Sequence, residues 1–149
     1  MKKVYLAFFL ILFLFSPVQA GCDDPLTDGV DYSNCRVSDA QDLQGSYLPN
    51  SNLSFGTFPE STFVRANLYE SVNIGANFEK TNFTSANLTR VDFMGATLIE
   101  ANFQNANLME ANFTSANLTN ANFDGANLIG AKWTNGETCG PESIGTCNK

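Results

Sequence analysis

Apolar side chains recur at every fifth position through most of this chain. Steps of five from Leu43 to Trp133 meet nine leucines, eight phenylalanines and one tryptophan, and the single polar exception is Asn73. A small residue, usually alanine, lies two positions before most of these centres, and Asn or Asp usually stands between them. A period of five fits neither the 3.6 of an α-helix nor the 2 of a β-strand. The pattern therefore predicts a coiling chain in which each repeat forms one side and one corner.

Each repeat is expected to direct its small residue and its central residue inward. The intervening Asn and the last two residues then face outward or form the turn. Asn suits this position because its side chain hydrogen-bonds to nearby backbone and it tolerates unusual backbone angles. A narrow interior explains why small and large apolar residues alternate along the chain.

These repeats resemble the pentapeptide-repeat family, whose motif is A-(D/N)-(L/F)-x-x. Two clear examples are Ala101-Asn102-Phe103-Gln104-Asn105 and Ala106-Asn107-Leu108-Met109-Glu110. The resemblance implies an all-β fold, a right-handed quadrilateral β-helix with four repeats, or 20 residues, in each coil. Departures from the motif are Asn73 at a centre and Gln41, Gly56 and Val91 at the small position.

Two irregular repeats precede the regular register. They are centred on Tyr32 and Val37, and the next centre is Leu43 rather than residue 42. One inserted residue near Ala40 accounts for this phase shift, which predicts a bulge there. With these two repeats the β-helix has about five coils.

A coil of 20 residues stacks positions that are 20 apart, which predicts ladders of core residues. One ladder is leucine throughout, from Leu48 to Leu128. Each buried centre is expected to stabilise the fold by about 1.5–3 kcal/mol, whereas Asn73 costs about 1–3 kcal/mol unless its amide is hydrogen-bonded. Two further ladders are expected to face each other across the core. One consists of Leu43, Phe63, Phe83, Phe103 and Phe123, and the other of Leu53, Asn73, Phe93, Phe113 and Trp133.

Charged residues on the outside follow the same spacing. One column holds Glu60, Lys80 and Glu100, and a second holds Glu70, Arg90 and Glu110. Because opposite charges alternate in both, the columns predict ion pairs between coils rather than a continuous acidic stripe.

The two ends differ in composition from the repeats. Residues 1–20 combine Lys2-Lys3, a run of twelve apolar residues and Val18-Gln19-Ala20, which is the layout of a secretory signal peptide cleaved after Ala20. The run is too short to cross a bilayer, so we expect no stable membrane insertion after cleavage and a periplasmic or extracellular location. Lipid attachment at Cys22 is the alternative. The expected domains are 1–20 signal peptide, 21–40 acidic N-terminal cap with the first irregular repeats, 41–135 β-helix, and 136–149 disulfide-closed C-terminal cap.

The four cysteines, Cys22, Cys35, Cys139 and Cys147, lie at the ends and not in the repeats. Export favours disulfides, and four cysteines permit three connectivities. The pairs Cys22–Cys35 and Cys139–Cys147 are favoured because the two pairs should lie at opposite ends of the rod. Without histidine or a C-x-x-C motif, a metal site is disfavoured.

Composition restricts the chemistry further. The absence of histidine removes the commonest general base, and no pair of acids lies in a recognisable catalytic motif, so we expect no enzymatic activity and no cofactor. The net charge of −7 becomes −9 when residues 1–20, with two lysines and no acid, are removed. Such an acidic chain is not expected to bind nucleic acid, because phosphate contacts require Lys and Arg.

An outer column of apolar residues is the candidate contact for a protein partner or for a second copy in a homodimer. It holds Tyr69, Met109 and Ile129, beside Ile74 and Met94. The sequence therefore predicts an exported, non-catalytic structural or protein-binding module of the bacterial envelope. One alternative is a secreted effector or inhibitor that acts by protein contact. Another is the acidic DNA mimicry of gyrase-binding family members, which paired charges and export both disfavour.

Overall fold

The computed structural model describes residues 29–36 and 40–149. In this part of the chain, turns alternate with single-residue parallel bridges, without longer strands or helices. Every parallel bridge from Asp42↔Thr62 to Asn112↔Lys132 joins residues that are 20 apart. Because a turn falls every five residues, four turns complete each coil. The described chain is an all-β solenoid.

Backbone hydrogen bonds between coils fix this register. The Leu88 N–H donates to the Asn107 carbonyl at 2.8 Å, and the Asn107 N–H donates to the Ala86 carbonyl at 2.9 Å. The Ala86 N–H in turn donates to the Phe83 carbonyl across the corner, at 3.0 Å. The Asn side chains support the turns, as where Asn112 Oδ1 accepts from the N–H two residues later at 3.1 Å. The Asn at this position therefore serves both the bridge and the corner.

The second turn residue of most repeats adopts a left-handed backbone conformation. Arg65, Glu70 and Lys80 have φ of 58°, 55° and 55°, and Gly75 has 63° at the equivalent place. Side-chain-bearing residues seldom adopt this region. The hydrogen bonds between coils hold them there, which explains why the position tolerates residues other than glycine.

Stacked aromatic rings form the core. Phe63, Phe83 and Phe103 are fully buried, and successive rings of this ladder stack with centroids 5.2 and 5.1 Å apart. Rings of different ladders meet edge to face, as Phe93 and Phe103 do at 6.0 Å and 66°. The end members Leu43, Phe123 and Trp133 are only partly buried, because no complete coil covers the ends of the rod.

Asn73 is a buried polar centre within a ladder. Its side chain is fully buried, and its Nδ2 donates to the Ser71 Oγ at 3.0 Å. Its Oδ1 has no hydrogen-bond partner. Asn73 therefore interrupts the apolar core with only part of its amide satisfied, at a cost of about 1–3 kcal/mol.

The phase shift predicted near Ala40 is present. The bridges Asp31↔Asn52 and Arg36↔Thr57 join residues 21 apart, whereas Asp42↔Thr62 joins residues 20 apart. One extra residue therefore lies between Arg36 and Asp42. Tyr32 is fully buried as a repeat centre.

The C-terminal residues fold back over the last coil. Thr138 pairs antiparallel with Lys132, and Ile144 pairs antiparallel with Asn127. A disulfide joins Cys139 to Cys147, as the sequence predicts. We call residues 136–149 the cap.

Several sequence predictions fall outside the described residues. They are the signal peptide at 1–20, most of the acidic segment at 21–40, the centre at Val37, and Cys22. Cys35 is disulfide-bonded, and its predicted partner is Cys22. No helix in the described part of the chain is long and apolar enough to cross a bilayer.

Candidate protein-binding surface

The outer surface consists mainly of the two turn residues of each repeat. Because coils repeat every 20 residues, turn residues that are 20 apart lie above one another, about 4.8 Å apart. Each column is thus a strip of surface made of residues that are spaced by 20 in the sequence.

Arg90 joins three coils in one charged column. Its Nη1 donates to Glu70 Oε1 at 3.2 Å, and its Nε donates to Glu110 Oε2 at 2.8 Å. The Tyr69 hydroxyl donates to Glu70 Oε1 at 2.8 Å. The hydrogen bonds from Tyr69 and then Arg90 hold the pKa of Glu70 below its usual value, and the bonds to Glu110 and Glu70 raise the pKa of Arg90.

The second predicted charged column does not form ion pairs. Among the described residues, Lys80 makes no ion pair with Glu60 or Glu100. Arginine offers a planar fork with several donors, whereas the lysine ammonium is a compact, strongly hydrated charge. The alternation of charges was therefore sufficient to predict pairing around Arg90 but not around Lys80.

An apolar patch occupies one corner of the solenoid on three successive layers. We define it by Phe55, Val72, Ile74 and Met94. Phe55, Met94 and Val72 are 60%, 40% and 37% exposed, and Ile74 is half-buried. The Phe55 N–H donates to the Ile74 carbonyl at 2.9 Å and joins the first layer to the second. The Gly75 N–H donates to the Met94 carbonyl at 2.9 Å and joins the second layer to the third. The patch is therefore continuous across coils.

The Phe55 ring lies over Gly75. A Cβ added to Gly75 would lie 2.8 Å from Phe55 Cε1, and Gly75 has φ of +63°. Side chains are accommodated at the equivalent turn position of other repeats, but here a Cβ would meet the Phe55 ring, so glycine suits this place. Gly75 thus provides the flat surface on which the exposed ring rests.

The predicted contact residues divide into two groups. Ile74 and Met94 belong to the apolar patch, whereas Tyr69, Met109 and Ile129 are half-buried in the neighbouring column. Tyr69 is also occupied by the Arg90 network, where Arg90 Nη1 donates to its hydroxyl at 3.3 Å. The role of all five as a partner contact remains a prediction.

Sequence reasoning missed Phe55 and Val72 as members of this surface. A signal for Phe55 was present, because it is the one phenylalanine after residue 20 that lies outside the five-residue register. A large apolar residue in a turn position points outward by that register. A signal for Val72 was also present, because it is the only aliphatic residue at a repeat position that Asn, Asp or Thr usually occupies.

The described residues contain no group of three His, Cys, Asp or Glu side chains placed to hold a metal ion. The perturbed carboxylates, Glu70 and Glu137, are on the surface and engaged by cations. The Glu137 pKa is lowered by the Lys149 ammonium and then by Asn135. What the surface offers is contact area and charge rather than reactive groups.

Comparisons with known proteins agree with this architecture. The family model "Pentapeptide repeats" matches residues 61–98, 76–114 and 98–132 with eight copies. The chain is therefore a member of the pentapeptide-repeat family. Members of this family are non-catalytic structural or protein-binding modules, and the chain is not an enzyme.

Two solved structures match part of this chain. QnrB1, a plasmid-mediated fluoroquinolone resistance protein, is 20% identical with a TM-score of 0.56, over 68% of this chain and 46% of QnrB1. A pentapeptide repeat protein from the Arabidopsis thaliana thylakoid lumen is 28% identical with a TM-score of 0.45, over 65% of this chain and 64% of that protein. This chain thus spans less than two thirds of either. No curated protein matches the sequence.

Proposed function

We propose that this chain is an exported, non-catalytic module of the bacterial envelope that binds another protein through the apolar patch. The exposure of Phe55 carries the proposal. Its ring packs over Gly75 on one face, yet 60% of the residue remains open to solvent. Burial of Phe55 with Val72 and Met94 against a partner would remove apolar surface from water at about 25 cal/mol per Å².

Rigidity of the surface supports the same function. Phe55, Ile74 and Met94 lie in turns and Val72 lies in a bridge, all held by hydrogen bonds between coils, above a core of stacked rings. A partner that binds there would order few side chains and no backbone. Such preorganisation lowers the entropic cost of association.

Export is proposed from the sequence and is consistent with the cap disulfide. Residues 1–20 have the layout of a signal peptide, and a disulfide such as Cys139–Cys147 persists in oxidising compartments. The proposed location is the periplasm or the exterior, with a lipid anchor at Cys22 as the alternative.

In this proposal the scaffold is a right-handed quadrilateral β-helix of about five coils, capped at its ends. The spacing of 20 residues between bridged positions and the turn every five residues support it. The chain carries its patch on the middle layers, away from both ends.

The two alternative functions differ from this one in partner and compartment. A secreted effector or inhibitor would use the same patch on a protein outside the cell. A gyrase-binding DNA mimic would need a continuous acidic surface in the cytosol. Arg90 interrupts the acidic column between Glu70 and Glu110, which disfavours mimicry, and the likeness to QnrB1 concerns the fold alone.

Cell fractionation combined with intact-protein mass tests export. We expect the envelope or medium to contain a protein shortened by residues 1–20, with all four cysteines oxidised. Full-length protein with free thiols in the cytosol would overturn export and restore the DNA mimic as the leading function.

Affinity capture tests the apolar patch. Tagged wild-type protein, Phe55→Ser and the control Tyr47→Ser are incubated with cross-linked envelope extract, and captured proteins are identified by mass spectrometry. Tyr47 is 63% exposed but lies outside the patch. We expect one protein to be captured by wild type and Y47S but not by F55S. Its capture by all three, or by none, would contradict the proposed site.

A further inference from the structure

Two glycines follow Phe55 at the same corner of the solenoid, one on each of the next two coils. Phe55, Gly75 and Gly95 are 20 residues apart and hold the second turn position of their repeats. The Gly95 N–H donates to the Thr114 carbonyl at 2.9 Å, so Ser115 lies one coil further along. The column therefore reads Phe, Gly, Gly, Ser, with its largest side chain at one end.

The two glycines differ in what lies over them. A Cβ added to Gly75 would lie 2.8 Å from Phe55 Cε1, because the Phe55 ring extends to the coil of Gly75. A Cβ added to Gly95 would meet no described atom within 4 Å. Phe55 thus fills the surface over one glycine and leaves open space over the next. We call this open place, over Gly95 and between Phe55 and Ser115, the notch.

The notch fits an aromatic ring, because Phe55 already occupies the equivalent place over Gly75. A ring placed over Gly95 in the same way would lie one coil spacing, about 4.8 Å, from the Phe55 ring. Aromatic rings attract each other at centroid separations of about 4.5–7 Å, and two stacked rings in the core of this protein are 5.1 Å apart. Met94, the residue before Gly95, is exposed, and a thioether beside a ring adds a favourable contact.

Asp92 places a carboxylate beside the notch, in the same repeat as Met94 and Gly95. Its Oδ1 accepts hydrogen bonds from the Met94 N–H at 3.0 Å and from Asn112 Nδ2 at 2.9 Å, which hold the group in place. Among the described residues, Asp92 belongs to no ion pair. Asp92 and Gly95 are three residues apart, so their Cα atoms are separated by no more than about 11 Å. Neighbouring side chains of one partner segment can therefore reach both.

The charges around Asp92 are negative on balance. Glu70, Arg90 and Glu110 border the same side of the solenoid at its other corner, and two carboxylates against one guanidinium leave a net charge of −1. The next cation in the column of Asp92 is Lys132, two coils away. This side of the middle coils therefore attracts a cationic group.

We propose that the notch receives an aromatic side chain of the partner protein, and that a lysine or arginine next to it in the partner's chain pairs with Asp92. This inference rests on the proposed binding of a protein at the apolar patch and names the chemistry of the segment bound there. The ring is buried against Phe55 and Met94, and the cation lies at the solvent edge. A purely apolar segment would instead exclude water from the Asp92 carboxylate without replacing its interactions, which is costly.

A second copy of the chain does not offer such a segment on its described surface. The exposed aromatic residues there are Tyr47 and Phe55, and neither has a lysine or arginine within two positions in the sequence. Trp133 lies directly beside Lys132, but its ring is packed 5.3 Å from that of Phe123 at the end of the core. The described surface therefore favours a different protein as the partner.

Peptide titration followed by NMR tests the proposal on the mature, disulfide-bonded protein. The probe is the blocked peptide acetyl-Gly-Arg-Trp-Gly-amide, and two control peptides replace Trp by Leu or Arg by Glu. We expect the probe to shift the amide signals of Phe55, Met94 and Gly95. The Leu peptide should bind about threefold more weakly or worse, and the Glu peptide at least about twofold more weakly at low salt.

Gly95→Asn fills the notch without changing the turn. Asparagine already adopts the equivalent conformation at Asn105 and Asn120, with φ of 56° and 57°. The control Gly45→Asn has the same kind of turn at another corner, with φ of +67° and no described atom within 4 Å of an added Cβ. We expect G95N to weaken binding of the probe about tenfold and G45N to bind it like wild type. Both variants should unfold at similar urea concentrations.

Asp92→Asn tests the charge separately from the notch. Asparagine is the residue at this position on the next coil, Asn112, where its Oδ1 accepts the N–H two residues later as that of Asp92 does. The D92N variant should therefore fold normally and bind the Arg and Glu peptides with equal affinity. It should keep the preference for Trp over Leu, because the notch is unchanged.

Several results would overturn the proposal. They are the absence of any shift with the probe at millimolar concentration, equal affinity for the Trp and Leu peptides, and binding by G95N equal to that by wild type. Shifts at Met94 and Gly95 on raising the concentration of the protein alone would assign the notch to a second copy and overturn it too.

Affinity capture from envelope extract separates this inference from the proposed function. A protein captured by wild type and G45N, but lost with both F55S and G95N, should cross-link through a segment that carries an aromatic residue beside a lysine or arginine. Loss with F55S but not with G95N would overturn the notch and leave the patch as the binding site. Capture by every variant would contradict the patch itself.

Discussion

Phe83 and Phe103, 20 residues apart in sequence, stack with ring centroids 5.1 Å apart and planes within 3° of parallel. Phe103 also stacks on Phe123 at 5.0 Å, so its ring is enclosed above and below. The hydrogen-bonded coils cannot collapse around a missing ring. We therefore expect Phe103→Ala to lower the free energy of unfolding by about 3–5 kcal/mol in urea denaturation.

Thr114→Ala is the control for that substitution. Thr114 is a half-buried turn residue whose Oγ1 donates to Asn112 Oδ1 at 2.7 Å. Loss of this bond should cost only about 0.5–1.5 kcal/mol. If the two variants lost equal stability, the assignment of inward and outward positions would be wrong.

Asn73 and Ser71 together offer a route to a more stable protein. The Asn73 amide is buried with its Oδ1 unpartnered and its Nδ2 on Ser71. Replacing both by apolar residues, as in Ser71→Ala/Asn73→Leu, removes the buried polar pair and continues the ladder. We expect a gain of about 1–3 kcal/mol in the free energy of unfolding. The single variant Ser71→Ala should instead destabilise, and a double variant less stable than S71A would show that Asn73 has a structural role we have missed.

The Arg90 network should make stability depend on pH. Hydrogen bonds from Tyr69 and Arg90 lower the pKa of Glu70 in the folded state from about 4.5. A carboxylate with a lowered folded pKa contributes stability above its unfolded pKa and loses it as the pH falls through the folded value. Arg90→Gln should therefore be less stable than wild type at neutral pH, with the difference shrinking below about pH 4.5.

Lys80→Gln is the matched control, because Lys80 lies in the same pattern of charges and, among the described residues, makes no ion pair. Its stability relative to wild type should not change over the same pH range. A difference of the same size and pH dependence for both variants would indicate general charge effects rather than the Arg90 contacts. Chemical denaturation at each pH makes the comparison.

The cap disulfide should protect the covered end of the rod. Cys139→Ser/Cys147→Ser removes a short loop closure and should lower the free energy of unfolding by about 2–3 kcal/mol in the chain-entropy account. Amide exchange should quicken at Leu128, whose N–H donates to the Ser143 carbonyl in the cap, but not at Leu88 in the middle coils. Unchanged exchange at Leu128 would show that the cap is held without the disulfide.

The fold could be predicted from the sequence because one period controls burial along the whole rod. The period placed Phe63, Phe83 and Phe103 in one buried ladder and located the extra residue between Arg36 and Asp42 from a shift of phase. The ends were less predictable. The return of the cap through Thr138 depends on backbone pairing, for which the sequence has no repeat.

The surface could be predicted only in part. Both charged columns have the same alternation, yet pairing differs because Arg90 and Lys80 differ in donor geometry and hydration. The expected contact was Tyr69, Met109 and Ile129 beside Ile74 and Met94, but the most exposed residue of the patch that contains Ile74 and Met94 is Phe55. Its place over Gly75 follows from left-handed turns, which the pattern of apolar residues does not encode.

All of these relationships depend on one claim, that residues 20 apart are neighbours in adjacent coils. Asn77 and Thr97 form such a bridged pair, and bridged strands lie about 4.8 Å apart, within the range that a disulfide spans. Peptide mapping of oxidised Asn77→Cys/Thr97→Cys should find the two introduced cysteines joined to each other. The control Asn77→Cys/Asn102→Cys, with a spacing of 25, should not cross-link. A bridge in the control, or none in the 20-residue pair, would contradict the coil.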